Sequence, residues 1–159
     1  MKSTLKLLFV AALLTFLSTS KLQAQDYKNA IGLRGGFWSG ITFKHINAGN
    51  KGYEFILSPR FRGFGLTGLY EVYKPAFNTP RLHWYYGGGA HISSYNYSFY
   101  RNNERTGTAL GLGANGIIGL EYNIGAIPLN ISVDLLPTVP IVPFFDAYID
   151  GALSLRFYF

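Results

Sequence analysis

Eight stretches of this chain alternate apolar side chains with small or polar ones, and none of their apolar faces carries a Lys, Arg, Asp or Glu. Successive side chains of a strand point to opposite faces, so each stretch has one uninterrupted greasy wall. In the first, Ile31, Leu33 and Phe37 oppose Arg34 and Gly36; in the second, Ile41 and Phe43 oppose Thr42 and Lys44. Tyr53, Phe55 and Leu57 oppose Glu54 and Ser58, and Leu66, Tyr70 and Val72 oppose Thr67 and Glu71. The fifth sets Leu82, Trp84, Tyr86, Ala90 and Ile92 against Arg81, His83, Tyr85, Gly87, Gly89 and His91. The sixth sets Leu110, Leu112, Ala114, Ile118, Leu120 and Tyr122 against Gly111, Gly113, Asn115, Gly119 and Glu121. Ile131, Val133 and Leu135 oppose Asn130, Ser132 and Asp134 in the seventh. The last alternates from Asp146 to Phe159, with Ile149, Leu153, Leu155, Phe157 and Phe159 against Asp150, Ser154, Arg156 and Tyr158. Glycines at 111, 113, 116 and 119 would each cost a helix about 1 kcal/mol, so the sixth stretch is a strand. Most stretches approach the 9–11 residues, roughly, that a tilted strand needs to cross a bilayer.

A greasy wall can line a soluble barrel or face lipid. The opposite wall decides for lipid. It is crowded with Gly, Ser, Ala and Asn, which suits the narrow interior of an eight-stranded barrel. It also carries nearly balanced charges: Arg34, Lys44, Arg60 and Arg156 against Glu54, Glu71, Glu121, Asp134 and Asp150. These are expected to pair inside a closed lumen. One cation at the bilayer midplane would cost about 2–4 kcal/mol, so a charge-free outer wall is what lipid requires. Aromatics near strand ends (Phe37 and Trp38, Tyr70 and Tyr73, Tyr85 and Tyr86, Phe157 to Phe159) are expected in girdles at the two interfaces.

Residues 1–24 have the form of a cleaved signal peptide: Lys2 and Lys6, an apolar core from Leu7 to Leu17, then a small residue at Ala24. Eleven apolar residues make about 16 Å of helix, against about 30 Å of hydrocarbon. No other stretch is long and apolar enough for a membrane helix. The net charge of +6 over 159 residues loses three cations (Lys2, Lys6, Lys21) with this leader. No basic stripe is left, so nucleic acid is not an expected partner. With no cysteine, neither disulfides nor a lipidated Cys can hold or anchor the chain.

The leader, the eight alternating stretches and the final Leu153-Ser154-Leu155-Arg156-Phe157-Tyr158-Phe159 together resemble the small outer-membrane barrel proteins of the OmpA/OmpX type. The resemblance implies an all-β fold: an eight-stranded, antiparallel, up-and-down transmembrane β-barrel over residues 25–159, without the peptidoglycan-binding domain. It implies export to the outer membrane of a Gram-negative-type bacterium. It also implies recognition of the last strand, ending in Phe159, by the barrel-assembly machinery.

Three constellations bear on chemistry. His91-Ile92-Ser93 with Glu104 is similar to the His-x-Ser pair and later Glu of lipid A deacylases, where His activates Ser and a carboxylate orients His. Here the register puts His91 and Ser93 on the lumen side, away from acyl chains. Gly36-Phe37-Trp38 resembles the Gly-x-Trp of lipocalins, the soluble alternative with an apolar ligand, but the chain ends in a strand rather than the helix that follows a lipocalin barrel. Gly87-Gly88-Gly89 sits mid-strand with no helix behind it, which favours close packing over phosphate binding.

His45, His83 and His91 lack metal-ligand spacing, and no metal or cofactor is expected. The two longest irregular stretches, Ser93 to Thr108 and Leu136 to Phe145, lie at one end. Asn47 to Asn50 and Asn123 to Pro128 make short turns at the other, and Lys74 to Pro80 a longer one. Short periplasmic turns with longer external loops are the outer-membrane habit. The expectation is therefore a non-enzymatic, monomeric barrel surrounded by outer-membrane lipids. Its external ligand, if any, meets loop 93–108, where Tyr95, Tyr97, Phe99, Tyr100, Arg101 and Arg105 are displayed.

Overall fold

The computed structural model describes residues 28–47, 49–60, 63–96, 108–142 and 146–159. The leader 1–24, residues 97–107 with Glu104, and the link 143–145 lie outside them, as do the side chains of Arg60 and Tyr95. The strands are β1 (Asn29–Gly36), β2 (Gly40–Asn47), β3 (Lys51–Arg60), β4 (Gly63–Pro75), β5 (Leu82–Asn96), β6 (Thr108–Ile124), β7 (Leu129–Val142) and β8 (Tyr148–Tyr158). Each pairs antiparallel with its sequence neighbour, and β8 returns to β1 to close the ring. The seam runs from Ala30↔Tyr158 to Gly36↔Ala152. Beyond it the Asn29 N–H donates to the Phe159 carbonyl at 3.1 Å, and the Phe159 N–H to that of Asn29 at 2.8 Å. A closed ring has no unpaired strand edge. All eight expected strands are present.

The greasy wall faces outward on every strand. Leu33 is 68% exposed, Phe55 48%, Ile118 49% and Leu153 61%, while Arg34, Lys44, Glu54, Glu71, Glu121 and Arg156 are buried inside. The alternation of burial is strict along β3, β7 and most of β8. Gly87 and Gly89 are places of close approach, as expected. A Cβ on either would come within 1.9 Å of a β4 carbonyl oxygen, that of Tyr70 or Gly68.

Three expectations need correction. Leu136 to Val142, expected in an irregular loop that runs to Phe145, are strand, because β7 continues to Val142. Pro137 and Pro140 made it read as a loop, since neither has an N–H to give a ladder. The structure places them where the ladder to β6 is already interrupted. No β6 residue pairs with Leu136 or Pro137, and the register shifts between Leu112 and Gly113, opposite Pro140 and Val142. Likewise the β5–β6 ladder reaches Asn96↔Thr108, so Ser93 to Asn96 are strand. Finally, Trp38, Tyr73 and Tyr85 belong to no girdle: they are 6%, 5% and 0% exposed and point into the barrel.

Candidate functional site

The inside of the barrel holds the densest chemistry. Lys44 of β2 lies at its centre, its Nζ donating to the Tyr73 hydroxyl at 3.0 Å and sitting 3.1, 3.3 and 3.5 Å from carboxylates of Glu71, Glu121 and Glu54. The same ammonium stands 3.9 Å from the centroid of the Tyr85 ring, a cation–π contact out of water. Arg156 donates to Glu54 at 2.6 Å, to Ser132 at 2.6 Å and to Thr42 at 3.3 Å. Thr42 in turn donates to Glu54, and Tyr73 to Glu71. Arg34 grips Asp134 through contacts of 2.8 and 2.6 Å, and the Tyr85 hydroxyl donates to the same carboxylate at 3.0 Å.

Sequence parity delivers these groups to the interior, and register brings them together. Lys44 stands opposite Glu54 in the β2–β3 pairing. The Arg156–Glu54 pair, by contrast, spans 102 residues, and only barrel closure creates it. The expected pairing of lumen charges is therefore found for Arg34, Lys44 and Arg156. Large rings fit among them because glycines face them. A Cβ on Gly119 would fall 2.7 Å from the Tyr85 ring, and one on Gly65 would fall 2.6 Å from the Trp38 ring. Apolar Ile56, Leu69, Ile117 and Leu136 also point inward, joining Tyr73 and Tyr85 in one cluster. Sequence alternation missed them because each adjoins an outward apolar residue, as in Phe55-Ile56-Leu57.

A second group lies toward the β5–β6 connection. Trp38, in the β1–β2 turn, donates its indole N–H to the Tyr148 hydroxyl at 2.8 Å. The backbone N–H groups of Phe37 and Trp38 donate to Asp150 at 2.8 and 3.0 Å. Thus Asp150 caps a turn rather than joining the ion pairs.

His91 lies below Trp38, ring centroids 5.6 Å apart. Its Nδ1 is 2.7 Å from the Asn115 amide oxygen, and the Asn115 Nδ2 donates to Thr138 at 2.8 Å. No hydrogen bond joins His91 to Ser93, which pairs with Gly65 and Gly111. A neutral amide, not a carboxylate, orients this imidazole, and Glu104 lies outside the described residues. His45 lies at the other end, between Asn29 and Asn47 at 2.8 and 2.9 Å. His83 stands opposite Glu121 in the β5–β6 register.

On the outer wall a groove of about 560 Å³ crosses β5, β6 and β7 at the end of the short turns. Phe77 of the β4–β5 turn, Trp84, Ile118, Leu120, Val133 and Leu135 line it. No signal in the sequence marked it, since its walls come from three strands and a turn.

No protein-family model and no curated protein matches the chain. Among solved structures, it is similar to the crystal structure of the N-terminal β-barrel domain of Pseudomonas aeruginosa OprF. The TM-score is 0.65 at 12% identity, over 85% of this chain and 100% of that one. With eight antiparallel strands closed on themselves, a greasy wall outside and ion pairs within, the chain has the fold of an outer-membrane β-barrel domain.

Proposed function

We propose that the chain is an integral outer-membrane protein of a Gram-negative-type bacterium that works without catalysis, as a structural element and as a body presenting its β5–β6 connection outside the cell. The observation that carries this is the inverted distribution of polarity. The described wall is apolar at mid-height, and the ion pairs found among the described residues lie inside. A soluble lipocalin-like barrel needs the reverse, an apolar interior for its ligand. The interior here is filled by side chains, as expected for eight strands, which favours a closed plug over an open pore. The chain is placed with its short turns in the periplasm. β8 and Phe159 then lie where the assembly machinery would meet them.

Fractionation followed by a detergent gel run with and without boiling tests the membrane reading. The chain is expected to need detergent for extraction and to change mobility on boiling. Recovery in the soluble periplasm without a mobility shift overturns the proposal. Catalysis is tested separately by lipid A mass on expression. No change is expected, and a change that reverts with Ser93→Ala would replace the non-enzymatic reading by a hydrolase.

A further inference from the structure

We propose that the short-turn end of the barrel binds an anionic phospholipid of the leaflet it faces, with the phosphate held at Lys51 and Lys74 and an acyl chain in the groove beside Phe77. The site rests on the membrane reading above.

Four described cations, Lys28, Lys51, Lys74 and Arg81, stand exposed at that end. Among the described residues no Asp or Glu side chain answers them. Asp146 is the exposed one, and it lies at the opposite end of the barrel; the others are buried in the lumen or its mouth. Lys51 stands opposite Val72 across the β3–β4 ladder, so Lys74 is its outward diagonal neighbour, with about 7–8 Å between their backbone positions. Neither ammonium has a carboxylate partner among the described residues, and the flexible four-carbon stems let both reach one phosphate.

Lys74 also ties this pair to the groove. Its Nζ lies 5.7 Å from the ring centroids of both Trp84 and Tyr86, and Trp84 is a wall of the groove. A lysine on an outward, lipid-side position is costly unless its head reaches the interface, with its stem along apolar surface. This one does so beside an aromatic pair whose centroids are 5.2 Å apart.

The groove fits the other half of the ligand. Its 560 Å³ lies within the roughly 300–1,000 Å³ of small-molecule sites. Phe77 closes it from the turn side. This residue is 81% exposed and held at a φ of 50°, a conformation uncommon for a bulky side chain. Positive charge at the rim and hydrocarbon below it complement an anionic headgroup above its chain, whereas a zwitterionic lipid would gain less from the lysines.

The test is native mass spectrometry of the detergent-purified barrel offered equal amounts of phosphatidylglycerol and phosphatidylcholine with the same acyl chains. Wild type is expected to retain phosphatidylglycerol preferentially. Lys51→Gln and Lys74→Gln should each cut that preference roughly five-fold, the worth of one surface cation near anionic lipid. Phe77→Ala should lower retention of both lipids and leave their ratio unchanged. Each variant is first checked for the mobility shift on boiling, which exposed Lys→Gln changes leave intact. A heat-shifting barrel that retains both lipids equally, or a double lysine variant that keeps its preference, overturns the lipid site alone. A wild-type chain with no mobility shift overturns the membrane reading, and the site with it.

Discussion

Glu54 touches both central cations of the lumen, at 2.6 Å from Arg156 and 3.5 Å from Lys44. Glu121 reaches Lys44 at 3.3 Å, and Lys44 keeps Glu54 and Glu71 when Glu121 is neutralised. Around this centre three carboxylates face two cations, so losing one is not equivalent to losing another. Glu54→Gln leaves Arg156 facing an amide in a dry interior, where breaking a buried pair costs about 3–5 kcal/mol. Glu121→Gln is expected to cost clearly less. Urea unfolding from lipid vesicles, followed by tryptophan fluorescence, measures both; equal losses would mean that Glu54 is not the hub. The sequence disclosed which charges point inward, because parity along a strand is local. It did not disclose which of them meet, because Arg34–Asp134 and Arg156–Glu54 join residues 100 and 102 positions apart across the β8–β1 seam.

At the scale of elements, every strand was legible where alternation was clean. What misled were residues whose local preference opposes their place. Pro137 and Pro140 are poor strand residues, yet they stand in β7 where β6 offers no regular ladder to them. Tyr73 and Tyr85 are the aromatics one expects at an interface, yet they stack on each other inside, centroids 5.5 Å apart. Glycines on neighbouring strands permit this, and that is testable. Gly119→Val would drive its side chain into Tyr85 and Asp134, whose atoms lie 2.7 Å from the added Cβ; such overpacking costs about 1–3 kcal/mol. Gly35→Val meets nothing nearer than the Leu153 carbonyl at 3.7 Å and adds a branched residue that a strand favours. It should leave stability unchanged or raise it slightly. Unfolding midpoints of the two variants, compared in the same vesicles, check the contrast. Comparable losses would show that lumen crowding does not set the glycine positions.

The whole molecule is organised by one inversion, polar inside and apolar outside, and its stability should respond to depth in a way no soluble barrel shares. Leu153 is 61% exposed near the middle of β8, pairing with Gly35 and Val133. Phe159 is equally exposed at the strand's end. In hydrocarbon an arginine at the midplane costs about 2–4 kcal/mol and near an interface about 0–1. Leu153→Arg should therefore lower the unfolding free energy in vesicles by an amount in the first range, and Phe159→Arg by one in the second. In water both positions are open surface, where such changes stay within about 0.5 kcal/mol, and Leu153→Arg would improve solubility. A flat response between the two sites would mean that this wall never meets lipid. A graded one ties the absence of charge from the middle of eight apolar faces to the solvent in which they fold.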